Sequence, residues 1–156
     1  MTAAAARLVR PLIDRLEFLA PLADLGIRLW IAKFFWDSGL TKINVDASFP
    51  FLHMNPTTLT LFQTEYHVPV LAPAVAAYLG TAVELTFPVL LALGLGGRIA
   101  AAVLFVFNIV AVISYPGLEE FGLAQHQLYG TLLLLPLLRG PGKISIDYFI
   151  RRIYWR

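Results

Sequence analysis

Apolar residues along this chain are gathered into long blocks, not alternated as in a strand or striped as in a soluble amphipathic helix. The blocks run from Leu22 to Leu40, Val70 to Leu95, Ile99 to Tyr115 and Phe121 to Leu138, with charged, glycine or proline breaks between them. At about 1.5 Å of rise per residue, such lengths suit a hydrocarbon layer of roughly 30 Å. The pattern predicts four membrane-spanning helices. Gly94-Leu95-Gly96-Gly97-Arg98 permits a tight turn after the second, Pro116-Gly117 ends the third, and Arg139-Gly140-Pro141-Gly142 ends the fourth.

Two further segments read as interfacial. Asn55-Pro56-Thr57 carries the cap and first-turn proline of a helix start, and Leu59, Leu61, Phe62 and Tyr66 follow it, so a short helix is expected over the outer mouth. After Gly142, apolar and aromatic residues such as Ile144, Phe149, Ile153 and Trp155 interleave with Arg151, Arg152 and Arg156. That mixture predicts an amphipathic helix on the inner membrane surface over 143–156. The expected fold is one all-α domain over 1–156: an integral membrane four-helix bundle, a short external helix and a C-terminal interfacial helix.

Composition agrees: 58% of the residues are hydrophobic and 14% charged, against about a quarter charged in a soluble domain. The sequence pI near 9.1 raises nucleic acid as a partner, but the basic residues flank apolar blocks instead of forming one stripe, so none is expected. Their distribution sets orientation instead. With both termini cytoplasmic, Arg7, Arg10, Arg15, Arg98, Arg139, Lys143, Arg151, Arg152 and Arg156 stay inside, and Lys42 alone lies outside. Asp14, Glu17 and Asp24 interrupt the first apolar stretch, so no cleaved signal is expected. There is no cysteine, which excludes thiol exchange, cysteine zinc sites and thiolate-held iron-sulfur clusters on this chain.

Charges inside the blocks are the candidate chemistry, because a charge in hydrocarbon must find a partner. Arg28 and Glu84 lie near the middles of the first and second spans, and a buried Arg28 to Glu84 ion pair is the sharpest contact expected. It would serve either as a register lock or as a midplane proton or substrate site. Asp24 and Arg28, and Lys33 and Asp37, are each one helical turn apart and can neutralise each other. At about 100° per residue, however, Arg28 and Lys33 point to faces about 140° apart. Lys33 and Asp37 are therefore assigned to an outward cavity, another subunit or a snorkelling position. His126 and Gln127 open the fourth span near the depth of Asp37 and Lys42, with Asn108 deeper on the third, which suggests an outward-opening polar pocket. His126 reads as structural, a proton shuttle, a metal ligand or a partner for a quinone carbonyl. The external His53, Met54, Glu65 and His67 fit no metal-binding spacing, so no metal site is assigned.

These residues bring a family into view. Arg28, then Phe34-Phe35-Trp36 and the closing Gly39-Leu40-Thr41-Lys42, resemble the first span of the DoxX family of small bacterial membrane proteins. Leu61 to Pro69 is similar to the external segment of one subgroup, Glu84 with Arg98 to the second-span pattern, and His126 to a histidine found in many relatives. Gly140-Pro141-Gly142-Lys143-Ile144-Ser145-Ile146-Asp147 looks like the family's Gly-Pro-Gly-x-x-Ser-x-Asp ending. Asp37 departs from the pattern. The resemblance implies a bundle related to the vitamin K epoxide reductase-like fold, in the bacterial inner membrane, without that enzyme's thiol chemistry. It further implies a redox-linked subunit, not catalytic alone, that works with a quinone or with an oxidoreductase or metal-handling partner, around Arg28, Lys42, Glu84 and His126. No covalent cofactor is expected. The alternatives are a small-anion or metal transport component around Lys33, Asp37 and Lys42, and a purely structural protein that assembles its own bundle or homo-oligomer.

Overall fold

A computed structural model describes the backbone of residues 3–45 and 52–154 and the side chains of residues 16–44 and 53–154. Arg7, Arg10, Arg15, Trp155 and Arg156, which enter the orientation and tail arguments above, lie outside the described side chains. The described elements are α1 (Ala3–Leu40), β1 (Ile43–Val45), β2 (Leu52–Met54), α2 (Pro56–Thr64), α3 (Pro73–Leu93), α4 (Gly97–Ser114), α5 (Glu120–Arg139) and α6 (Ile146–Tyr154).

Four of these match the four apolar blocks, with one difference. The first helix begins at Ala3, well before the block at Leu22, because 3–21 is rich in Ala, Leu and Arg, which favour helix whatever their solvent. Two of the four, α3 and α4, are long and apolar enough to cross a membrane by composition alone. The charges on α1 and the polar start of α5 lower the mean hydropathy of those two. Asn55 caps α2 as expected, accepting from the Thr57 amide at 3.0 Å, with Pro56 in the first turn. Between α1 and α2 the chain forms a short antiparallel hairpin that pairs Ile43 with Met54, which the hydrophobic pattern did not announce.

The long helices pack α1 on α3, α3 on α4, α4 on α5, and α5 back on α1. Ile31, Phe35, Leu91, Leu104, Tyr129 and Leu133 form their shared centre. Ala100 and Ala101 are small enough to bring backbones close, which gives the helices dispersion contacts along their length. Gly39 does the same between α1 and α3: a Cβ there would stand 2.9 Å from Leu85 Cδ2 and 3.0 Å from Glu84 Cβ. Helix α2 covers the N-terminal part of α3 by placing Phe62 on Ala76 and Ala77.

At the opposite end, the Gly140 to Asp147 ending proves to be a clasp. Asp147 accepts from the Gly96 and Gly97 amides at 2.8 Å each, capping α4 from fifty residues away. Ser145 accepts from the Tyr148 amide at 3.2 Å and donates to the Gly142 carbonyl at 2.7 Å, so it starts α6. Gly94 terminates α3 in the left-handed region, at φ 64°, where an added Cβ would sit 2.2 Å from Arg28 Nη1 and 2.4 Å from Ser145 Cβ. Gly94→Ala is accordingly expected to cost about 1–2 kcal/mol for the backbone alone, and more for the clash. Unfolding in mild detergent measures it, and a neutral result would contradict this clasp.

Candidate functional site

A cavity of about 230 Å³ lies among α1, α2, α3, α4 and α5. Its wall is largely apolar, with aromatic rings from Phe34 and Phe35 on α1, Phe62 and Tyr66 from α2 and its exit, Phe107 on α4, and Tyr115. Tyr66 is stacked between Phe62 and Tyr115, with centroids 4.7 and 4.8 Å away. Burial, reinforced by Tyr115, Glu84 and Glu65, pushes the Tyr66 phenol above its ordinary range, so it remains a neutral hydroxyl at physiological pH.

One side of the cavity is polar. Lys42 Nζ lies 2.5 Å from Glu84 Oε2, and Ser38 Oγ donates to Glu84 Oε1 at 2.9 Å. The same ammonium donates to Ser38 Oγ at 3.2 Å. The Glu84 side chain is 5% exposed and that of Lys42 17%, so the charges are withdrawn from solvent and each carboxylate oxygen has a partner. The close approach at Gly39 is what brings the end of α1 against Glu84.

This corrects the expected Arg28 to Glu84 pair. Arg28 is 2% exposed but lies level with the last turn of α3, where it donates to the carbonyls of Leu91, at 3.3 Å, and Ile144. The helices are offset from the register that their midpoints imply, and Glu84 meets the closing lysine of the first block instead. Lys33 and Asp37 do pair with each other, at 2.5 Å, but on the exposed side of α1, with side chains 73% and 53% exposed. They do not line the cavity assigned to them.

His126 stands in the wall between the cavity and a shallow groove that separates α4 from α5. Asn108 Nδ2 donates to the His126 carbonyl at 2.9 Å, which leaves Asn108 Oδ1 to accept from Nδ1–H at 2.8 Å. That pairing selects one tautomer and leaves Nε2 as a proton acceptor. Gln127 is exposed on the groove side. In the segment between α2 and α3, His67 Nδ1 meets the Glu65 carbonyl at 3.1 Å, and Glu65 accepts from the Tyr115 hydroxyl at 3.2 Å.

The structure therefore gathers Lys42, Glu84 and His126 around one cavity, sets Asn108 behind His126, and leaves Arg28, Lys33, Asp37 and Gln127 outside it. Sequence reasoning missed Ser38 and Ser114. Ser114 lines the cavity, and its hydroxyl is buried without a hydrogen-bond partner among the described residues. Serine in an apolar block carries no visible mark. Phe62 and Tyr66, named in the sequence only as part of a short helix over the mouth, are the signal from which the aromatic part of the wall could have been found.

Neither the search of curated proteins nor the search of solved structures finds a match. A family model for DoxX matches residues 23–116, which takes in Lys42, the α2 segment, Glu84, Asn108 and Ser114, and stops short of His126 and the Gly140 to Asp147 clasp. With more than half of its length covered, and with the lysine-glutamate pair inside the matched region, this chain belongs to the DoxX family.

Proposed function

We propose that this DoxX-family protein is a four-helix integral protein of the bacterial inner membrane with both termini cytoplasmic, and that its cavity receives the ring of a quinone. In this reading it is a redox-linked subunit that serves a partner oxidoreductase and is not catalytic alone. The supporting observation is the cavity: apolar and partly aromatic, with a buried ion pair, a serine hydroxyl that has no partner among the described residues and a histidine nitrogen turned acceptor. Membrane insertion of the whole bundle is supported by what its apolar helices leave uncovered. Only 39% of the apolar stretch of α3 and 33% of that of α4 is buried within the protein. Large side chains such as Trp30, Ile99, Val106, Ile113 and Leu138 face outward, more than a soluble surface tolerates.

At about 230 Å³ the cavity is smaller than the roughly 300–1,000 Å³ of a site for a drug-sized molecule. It suits a single ring whose apolar tail stays in the lipid. Leu71 and Leu79 line the cavity and are also exposed, so the entrance lies on the lipid-facing side. Ser114 would donate to a carbonyl oxygen. His126 Nε2 would take one of the two quinol protons as the partner withdraws the two electrons together with the other proton, and both protons would return in the reverse direction. Lys42 and Glu84, already satisfied by each other and by Ser38, hold a fixed dipole at the cavity wall. The transport alternative loses Lys33 and Asp37, which stand outside the cavity.

Native mass spectrometry of the gently extracted protein tests this reading, with retained quinone or an oxidoreductase chain as the expected result. A clean homomer that also fails to bind a short-chain quinone in titration would refute it. For the binding-competent protein, His126→Leu is expected to weaken a short-chain quinol about tenfold, the value of one hydrogen bond of about 1.4 kcal/mol, and to leave the quinone, which has no hydroxyl to give Nε2, nearly unchanged.

A further inference from the structure

One face of α1 is unpartnered along most of its described length. Leu22, Gly26, Leu29, Lys33, Trp36 and Leu40 recur at alternating steps of four and three, and all six are exposed. That spacing is the apolar seam of two helices that wind around each other. Among the described residues nothing lies within 4 Å of where a Cβ on Gly26 would stand, so a second backbone can come close there. The opposite face of the same helix, with Ile31 and Phe35, is already spent on the core.

The charged pair on this face decides what covers it. Arg28 is level with Leu91, and Gly39 with Glu84 and Leu85, so Lys33 and Asp37 lie alongside the apolar α3 between those two levels and not at its ends. If α1 lies in the bilayer as proposed above, lipid is a poor neighbour for two charges at that depth. The pair is self-complementary. Two copies inserted with the same topology bring their α1 helices together in parallel about a two-fold axis. Each Lys33 ammonium then has a second carboxylate within reach, and each Asp37 a second ammonium.

We infer that the exposed face of α1 is the interface of a homodimer, with Gly26 at the closest approach and the two Lys33–Asp37 pairs joined across the axis. The inference rests on α1 being embedded in the membrane. The chain has no cysteine of its own, so single cysteines report the interface directly. In native membranes, Gly26→Cys and Leu29→Cys are expected to yield disulfide-linked dimers on mild oxidation, whereas Val106→Cys, exposed on α4, stays monomeric. Lys33→Asp and Asp37→Lys alone should each lose the cross-linked product, and the double exchange should restore it.

Monomer at the α1 positions, equal cross-linking at Val106, or a photo-cross-linker at Leu29 that captures a different protein would each overturn the homodimer. Alkaline carbonate extraction separates this from a failure of the membrane reading. A protein released by carbonate sinks the bilayer assignment, whereas one retained but monomeric sinks only the dimer.

Discussion

Glu84→Leu is expected to destabilise the protein by roughly 3–5 kcal/mol, because it strands a buried ammonium, and stranding one partner of a buried pair costs far more than the intact pair contributes. Lys42 would lose its 2.5 Å partner, and Ser38 would lose the acceptor of its hydroxyl. Replacing both charges together, as Lys42→Met with Glu84→Leu, should recover most of the loss, since neither charge then has to be desolvated. Thermal or dodecyl sulfate unfolding in mild detergent measures both. A Glu84→Leu variant as stable as the parent would show that Lys42 reaches water and that the cavity wall is not closed as described. The paired variant carries the functional information. If it folds and still binds a short-chain quinone with parental affinity, the ion pair is scaffolding, and quinone recognition rests on Ser114 and the aromatic rings.

Arg28→Leu should have a comparable effect at the other end of the molecule. Arg28 joins α1 to the last turn of α3 and to Ile144 just before α6, and its side chain is among the largest fully buried ones. Leucine would take the Arg28 donor from the part-buried Ile144 carbonyl, at about 1–3 kcal/mol, and leave Leu91 with the Gly94 amide alone, besides a void where the guanidinium stood. Lysine is not a conservative rescue, because a single ammonium cannot spread its donors as a planar fork does. The expected signature is local. Trypsin should cut at Lys143, Arg151 or Arg152 in Arg28→Leu under conditions that leave the parent intact, because the clasp of Ser145 and Asp147 loses its anchor. Destabilisation without faster cleavage there would mean that the Arg28 bond to Ile144 does not hold the tail.

The same clasp shows how far a local pattern can be read. Gly140-Pro141-Gly142 with Ser145 and Asp147 is visible in the sequence as a turn before an amphipathic segment. What Asp147 does is not visible there, since the amides it caps belong to Gly96 and Gly97. Likewise, one turn of spacing foretells the Lys33–Asp37 pair, and the angle between Arg28 and Lys33 separates them onto different faces. Both are properties of a single helix. The hairpin of Ile43 with Met54 escaped notice because each strand has three residues, too few to show an alternation.

The amino-acid order by itself determined the apolar blocks, the helix start at Asn55-Pro56, the amphipathic tail and the resemblance to DoxX, because each depends on residues close together in the chain. Tertiary structure alone decided that Glu84 meets Lys42 and not Arg28, and that the pair faces an aromatic cavity closed by α2. The reason is sliding. Two antiparallel helices can be displaced along each other by a turn or more with little change in their individual patterns. The displacement adopted is set by where Gly39 admits the neighbouring backbone and where the Arg28 guanidinium reaches the Leu91 carbonyl in the last turn of α3 and the Ile144 carbonyl.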